Sequence, residues 1–288
     1  MPIEESELIL NSDGSIYHLN LLPEDIADTI ITVGDQERVP QVSKYFDTIA
    51  LKKGKREFIT HTGLLKGKRI TVISTGIGTD NIDIVMNELD ALVNIDFETR
   101  QVKSKKTVLK IIRIGTSGAI QKDIPVGSFI LSEMAVGLDA LLHFYKNGVQ
   151  ENKAFRQALS NHLGWISKHI EPYVFSCDKN MANSLMSNRI RLGTTLTNAG
   201  FYAPQGRQLR LKSSLPNFHE RISTFQFMHR QITNLEMETS ALYGLSRLMG
   251  HSAVSMNAIL ANRATGEFSK DTKQPVDELI QYCLERLV

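Results

Sequence analysis

Short runs of branched apolar residues recur along the chain, and several of them end in glycine-containing segments. Residues 29–33 and 108–114 are two such runs, each composed mainly of Ile, Val and Leu. Apolar runs of this length, bounded by turn residues, are typical of strands that a sheet buries on both faces. The pattern predicts a central sheet with loops at its strand ends.

A second spacing, typical of helices, alternates with these runs. Apolar side chains recur every three or four positions between residues 82 and 93, and the same spacing covers 151–170 and 276–287. Strands that alternate with amphipathic helices indicate an α/β fold. No internal repeat or low-complexity linker divides the chain, so we predict a single domain over residues 1–288, with residues 1–17 as an N-terminal arm.

Three further stretches are predicted from their turn residues and polarity. Residues 51–73 are expected to form a β-ribbon that turns at Gly63, because a turn signal separates two β-branched runs. Residues 98–106 are predicted as a surface loop and residues 178–189 as an irregular insertion, since both are mostly polar.

Composition narrows the class of protein. The 288 residues are 42% hydrophobic and 22% charged, which is typical of an ordinary globular protein. A net charge of +2 gives no indication of a nucleic-acid or membrane partner. The two cysteines form no metal-binding spacing with histidine, and the acidic N-terminus lacks the apolar core of a signal peptide. We therefore expect a cytoplasmic protein without a metal site.

Arg113 interrupts the apolar run at 108–114, just before a stretch of small residues. A buried guanidinium is costly unless it meets an anion, and its fork of donors matches carboxylate or phosphate oxygens. Gly115 and Gly118 would let a loop backbone approach a ligand, while Thr116 and Ser117 add hydroxyl groups. The stretch predicts an anion site; a structural pair between Arg113 and a carboxylate is the alternative.

The run at 29–33 repeats this arrangement, because it leads into Gly34 and Asp35 and then into Arg38 at a predicted helix start. The unpaired amides and the dipole of a helix N-terminus favour phosphate. A tight turn that leaves Arg38 exposed is the alternative.

Two later segments also carry side chains that could bind a ligand. The loop that carries Phe201, Gln205 and Arg207 could stack on a flat heterocycle and bond its edge, although ordinary loops share this composition. Glu236 and Glu238 flank Met237 before a predicted helix, where they could bind neighbouring sugar hydroxyls or simply complement the helix dipole.

Five motifs together resemble those of the nucleoside phosphorylase-I family. They are Gly34-Asp35-x-x-Arg38, Lys55-Arg56-Glu57-Phe58, Ser74-Thr75-Gly76-Ile77-Gly78, the segment 113–120 and Glu236-Met237-Glu238. The loop from Phe201 to Arg207 resembles the uridine phosphorylase branch. The resemblance implies an α/β domain with a central mixed, partly barrel-like β-sheet flanked by helices.

The resemblance also implies a role for individual residues. Phosphate would be bound by Gly34, Arg38, Arg113 and Thr116, with Arg56 from a neighbouring subunit. Ribose would be bound by Glu236, Met237 and Glu238, with His18 from that neighbour; without the resemblance, His18 is simply a surface histidine. The base would be bound by Phe201, Gln205, Arg207 and Arg263. Arg113, Gln205 and Arg207 would be the catalytic residues.

The implied reaction is phosphorolysis of uridine to uracil and ribose 1-phosphate. Orthophosphate would be the co-substrate, with no further cofactor, and the question of a monovalent cation near Glu57 stays open. Active sites shared between subunits imply a homodimer or a hexamer of three dimers.

Three alternatives remain at this point. A purine nucleoside phosphorylase of the same fold would carry an aspartate where this chain has Asn262 and Arg263. A hydrolytic nucleosidase would not require three arginines, and a non-catalytic nucleoside-binding protein is the alternative from another class. The base assignment is further affected by Ala203-Pro204 and Gly206, which depart from the usual uridine phosphorylase loop.

Overall fold

The computed structural model describes residues 2–149, 151–164, 170–215 and 217–288. Its strands are β1 (Thr29–Val33), β2 (Thr48–Lys55), β3 (Phe58–Leu65), β4 (Lys68–Ser74), β5 (Ile95–Asp96), β6 (Gln101–Val102), β7 (Lys110–Ala119), β8 (Phe129–Leu138), β9 (Tyr173–Ser176), β10 (Ile190–Asn198), β11 (Gln226–Phe227), β12 (Arg230–Glu236), β13 (Ser252–Asn262) and β14 (Glu267–Phe268). Its helices are α1 (Arg38–Ser43), α2 (Thr79–Asn94), α3 (Lys153–Leu163), α4 (Lys179–Leu185), α5 (Phe218–Thr224), α6 (Thr239–Met249) and α7 (Lys273–Leu287).

One large mixed sheet organises the described residues. Its main strand order is β11-β12-β10-β8-β13-β7-β1-β4-β3-β2, with β9 beside β8 and β14 beside β13. An additional pairing of β12 with β7 closes β7, β13, β8, β10 and β12 into a ring of five strands. The prediction of an α/β fold with a mixed, partly barrel-like sheet is therefore confirmed.

The apolar runs form the centre of this sheet, as predicted. Every residue of β1 is buried, and the strand lies between β4 and β7 in parallel pairings. On α2 the predicted apolar stripe packs against the core, with Val93 at its partly buried margin. Burying each large aliphatic side chain contributes roughly 1.5–3 kcal/mol, so this packing fixes the strand ends near the site.

The small residues after Arg113 belong to a strand, so the prediction of a loop there was wrong. β7 continues through Gly115 to Ala119 because β13 pairs with it in parallel over this whole length. Hydrogen bonding from a neighbouring strand thus outweighs the low strand preference of glycine.

The predicted turn at Gly63 was also wrong. Gly63 lies within β3, where a Cβ atom would come 2.1 Å from the carbonyl oxygen of Thr48. The turns occur instead at Arg56, with φ of +57°, and at Lys66, with φ of +48°. A glycine here serves close backbone approach rather than chain reversal.

Two segments contain more regular structure than their polarity indicates. The predicted irregular insertion includes α4, whose Asp178 side chain accepts a hydrogen bond from the Met181 amide at 2.9 Å. This is an N-cap that the sequence analysis overlooked. The predicted surface loop at 98–106 includes β6, which pairs with β5.

The helix predicted at 151–170 is observed as α3, and residues 165–169 lie outside the described residues. The N-terminal arm packs on the domain through the buried side chains of Leu8 and Ile16. None of the helices in the described ranges is both long and apolar enough to cross a membrane.

Candidate active site

A cavity of about 760 Å³ opens at the ends of β1 and β4 and beside the second halves of β7, β12 and β13. Ten of the thirteen residues assigned from the sequence line it. They are Gly34, Arg38, Arg113, Thr116, Phe201, Gln205, Arg207, Glu236, Met237 and Glu238. Parallel strands present their carboxyl ends at one edge of a sheet, which is why segments so distant in sequence meet here.

Arg113 lies at the centre of this cavity and is 4% exposed. Its guanidinium forms an ion pair with Glu238, and its Nη2 atom is 3.7 Å from Oε2 of Glu236. Its Nη1 atom donates to Oδ1 of Asn257 at 3.3 Å. The two alternatives for Arg113 therefore coincide, because the same side chain faces a cavity and pairs with carboxylates.

Glu236 has its oxygens occupied by the protein. Its Oε2 accepts from the amides of Glu238 and Thr239 at 2.9 and 2.8 Å, and its Oε1 accepts from Thr197 Oγ1 at 2.6 Å. It therefore caps the start of α6, as one of the alternatives predicted.

Glu238 is the more available carboxylate of the two. Its Oε1 accepts from the Gly78 amide at 2.9 Å, while its Oε2 faces Arg113. Burial raises the pKa of Glu238, and the charge of Arg113 opposes that shift. A buried acceptor held by one cation and one amide can bind hydroxyl groups.

Arg38 is the first residue of α1, as predicted. Its Nη1 atom lies 3.4 Å from the Ile114 carbonyl oxygen, which points the guanidinium toward β7. Burial lowers the pKa of Arg38, and the nearby charge of Arg113 lowers it further. Two neighbouring guanidinium groups at one cavity can together bind a multiply charged anion.

The other end of the cavity is built on the loop that follows β10. Arg207 Nη1 donates to Gln205 Oε1 at 2.5 Å and to the Phe201 carbonyl at 2.8 Å. Its guanidinium lies 3.7 Å from the centroid of the Phe201 ring. These contacts arrange an aromatic face, an amide and a cation around one opening, which suits a flat polar heterocycle.

Arg263 lies behind this loop and is not among the described residues that line the cavity. Its Nη1 atom is buried and lacks a hydrogen-bond partner within the described residues. Burial lowers the pKa of Arg207 to about 10, and Arg263 contributes to that shift.

His219 on α5 backs the same loop and was missed by the sequence analysis. Burial lowers the pKa of His219 to about 4, with Arg263 and Arg207 adding to the shift, so the ring is neutral near pH 7. Gly206, at φ of +69°, makes room for it, because a Cβ there would lie 2.9 Å from His219 Nε2. An isolated histidine in a polar helix gives no sequence signal for this role.

His18 and Arg56 do not reach the cavity of their own chain. His18 lines a second cavity of about 440 Å³, where its Nδ1 lies 2.6 Å from Glu88 Oε1. Arg56 is exposed in the turn between β2 and β3, and the adjacent Glu57 lines the main cavity. The resemblance assigned both residues to a neighbouring subunit, and that assignment stays a prediction.

Asn262 does not act in the cavity. Its amide donates to the carbonyls of Gln121 and Ile124 at 2.9 and 2.8 Å, and its Oδ1 accepts from the Ala264 amide at 2.8 Å. These bonds hold a loop together. The position therefore offers no carboxyl group that could protonate a purine.

Several lining residues were absent from the sequence assignment. Phe268, on the two-residue strand β14, is 70% exposed beside the cavity. So short a strand has no recognisable pattern in sequence. Within the described part of the chain, no group of three or more histidine, cysteine or acidic side chains could hold a metal ion.

Known proteins resemble this chain in sequence and in fold. The sequence model of a family described as "Phosphorylase superfamily" matches residues 28–288. A uridine phosphorylase of Thermococcus kodakarensis is 32% identical over 258 residues, which are 90% of this chain and 81% of that protein.

A DeoD-type purine nucleoside phosphorylase of Oceanobacillus iheyensis is 26% identical over 94% of this chain and 98% of its own length. Among solved structures, a Trypanosoma brucei nucleoside phosphorylase described as having uridine phosphorylase activity superposes with a TM-score of 0.88. It is 30% identical, and the match covers 98% of this chain and 99% of that one.

Proposed function

Because the chain belongs to the phosphorylase superfamily, we propose that it cleaves uridine with orthophosphate to give uracil and ribose 1-phosphate. The observation that carries this proposal is the grouping of three chemistries in one cavity. Arg38 and Arg113 supply an anion site, Glu238 an acceptor for hydroxyls, and the loop with Gln205 and Arg207 donors for a base.

The arginines position phosphate for attack at C1′ of the ribose. Phosphate is a weak nucleophile toward a neutral sugar, so the glycosidic bond must stretch until C1′ gains oxocarbenium character. Arg38 and Arg113 hold the dianion close to that carbon, which supplies proximity and balances the growing positive charge. No side chain needs to act as the nucleophile.

Glu238 binds ribose hydroxyls beside the phosphate, with Met237 forming part of the same wall. Its contact with Arg113 places the carboxylate that accepts hydrogen bonds from the ribose next to the guanidinium that donates to phosphate. That proximity is what an attack by phosphate on the adjacent ribose carbon requires.

The loop at the other end stabilises the departing base. Negative charge develops on the uracil carbonyls as the bond to C1′ breaks, and Gln205 and Arg207 can donate hydrogen bonds to it. The ring of Phe201 provides the stacking face. Arg263 adds positive charge behind the loop.

The proposal includes a homo-oligomer in the cytoplasm, a homodimer or a hexamer of three dimers, with Arg56 and His18 completing the site of a neighbouring subunit. Mixing Arg56→Ala and Arg113→Ala chains tests this directly. A mixed dimer would contain one site with both arginines intact, so random mixing should recover about a quarter of the parental activity. No recovery after verified subunit exchange would refute sharing of Arg56.

The first experiment follows release of free base and ribose 1-phosphate from uridine and inosine, each with and without phosphate. We expect uridine cleavage that depends on phosphate. Phosphate-dependent cleavage of inosine alone would retain the arginine site and overturn the base assignment. Release without phosphate would indicate a hydrolase, and binding without turnover would indicate a nucleoside-binding protein.

A further inference from the structure

A chain of buried polar side chains runs around the ring of five strands and ends on both sides at the cavity. We call it the polar belt; its members are Arg113, Asn257, Ser132, Thr195, Asn234 and Ser117. Each of the five strands contributes at least one member. Only Arg113 and Ser117 line the cavity, while the other four are 0% exposed.

The hydrogen bonds of the polar belt all run in one direction. Arg113 donates to Asn257 at 3.3 Å, and Asn257 Nδ2 donates to Ser132 Oγ at 3.3 Å. Thr195 donates to Asn234 at 3.0 Å, so the 2.6 Å contact between Ser132 and Thr195 must use the Ser132 proton. A chain that starts at a cation and keeps one direction is polarised throughout.

The register between β7 and β13 explains why Arg113 reaches Asn257. Arg113 and Gly115 share one face of β7, and Gly115 is the register partner of Asn257. A Cβ atom on Gly115 would lie 1.7 Å from Arg113 Nη1, so the guanidinium lies across the space that this glycine leaves empty. Asn257 is then the group on the adjacent strand that accepts from it.

We propose that Asn257 is a positioning residue that holds Arg113 for phosphate, and that the affinity for phosphate therefore depends on Asn257. The inference rests on the proposed function, because it takes the anion at Arg113 to be phosphate. The Asn257 oxygen is neutral, so it orients Nη1 without cancelling the charge. Glu238 holds only the other terminal nitrogen, Nη2.

The decisive variant is Asn257→Asp, which preserves shape and replaces a neutral acceptor by a carboxylate. The new charge would compete with phosphate for Arg113, so we expect the KM for phosphate to rise at least about tenfold. The KM for uridine should change less than about threefold, since Gln205 and Arg207 lie at the other end of the cavity.

Two further variants complete the experiment. Ser132→Ala removes the acceptor of Asn257 without touching Arg113, and should raise the KM for phosphate about two- to fourfold, again without an equal change for uridine. Asn94→Asp is the matched control, because Asn94 is a buried asparagine at the end of α2 with its own hydrogen bonds to Asp90 and Thr107. It should leave the ratio of the two KM values unchanged.

Phosphate binding is also measured without turnover, from the dependence of Tm on phosphate concentration, which mass-action linkage converts into a Kd. This readout separates the two proposals, since it still reports on Asn257 if uridine proves not to be the substrate. Equal rises in both KM values, or phosphate affinity of Asn257→Asp within about twofold of the parent, would overturn the inference. If Asn257→Asp fails to fold, Ser132→Ala provides the test. A rise in its KM for phosphate without an equal rise in its KM for uridine would support the inference, and equal changes would overturn it.

Discussion

The two ends of the cavity are built in different ways. Around Arg113 the two carboxylates that pair with it, Glu236 and Glu238, are like Arg113 itself at most 5% exposed, and all three lie on a strand or at a helix start with several partners each. Around Arg207 the support is a three-residue helical turn, and Phe201 is 50% exposed. One end is part of the sheet, whereas the other is carried by a loop.

This difference separates what the reaction requires from what selects the base. Phosphate and ribose are common to all nucleoside phosphorolysis, and Arg38, Arg113 and Glu238 lie on a strand or at helix starts. The base differs between substrates, and its proposed ligands lie on a loop that can vary without disturbing the sheet. Relatives with uridine phosphorylase and with purine nucleoside phosphorylase names both align over most of this chain, in keeping with such a division.

The largest effect is expected from Arg113→Ala. Loss of a preorganised cation at the reacting phosphate should lower kcat/KM at least about 100-fold. Arg113→Lys keeps the charge but not the fork of donors, so its kcat/KM should lie between those of Arg113→Ala and the parent. A folded Arg113→Ala enzyme with parental kcat/KM would refute the assignment of the anion site.

Gly115→Ala should disturb the same end through geometry alone. The new Cβ would overlap Arg113 Nη1, and the flexible guanidinium would yield before the strand does. We expect a folded protein with kcat/KM reduced roughly 30-fold, because small displacements of a binding group are costly.

The control for Gly115→Ala is the same substitution in an Arg113→Ala background, where the guanidinium that the new Cβ would displace is absent. There Gly115→Ala should change kcat/KM by less than about threefold. A loss as large as in the parent would show that β7 tolerates no added methyl group, and would remove the argument about Arg113.

At the loop end, Gln205→Ala should raise the KM for uridine about tenfold, as expected for the loss of one or two hydrogen bonds to the base. The KM for phosphate should remain unchanged, because the substitution does not alter the end of the cavity around Arg113. Steady-state kinetics with each substrate varied in turn provides the measurement. A comparable rise in both constants would mean that the two ends are not independent.

The smallest effect concerns pH and the loop support. The pKa of His219 is about 4 in the folded protein and near 6.5 when unfolded, so the unfolded chain binds more protons between these values. Stability should therefore fall as pH decreases from 6.5 toward 4, by about 1 kcal/mol from this group after allowing for solvent screening.

Urea unfolding at pH 7 and pH 5 measures this contribution. His219→Gln should flatten the pH dependence of the unfolding free energy, while the exposed His229→Gln should not. The same slope in His219→Gln and the parent would refute a neutral buried role for His219.

Local patterns predicted most of the secondary structure near the site. The five residues of β1 and the start of α1 at Arg38 follow from an apolar run, a glycine turn and a helix start, all of which are short-range signals. The loop predicted after Arg113 was wrong because β13 supplies backbone partners that no local signal reveals. Likewise, Asn257 in an apolar strand is visible as an anomaly, but its partner is not.

The sequence by itself determined the alternation of strands and helices and the residue types available for phosphate, ribose and base. Only the tertiary structure decided how they are combined. Closure of the five-strand ring brings Asn257 to Arg113 and Asn234 to Ser117, and packing of α5 brings His219 to Gly206. The physical reason is that strand order and register set these contacts, and both depend on interactions between segments far apart in the chain.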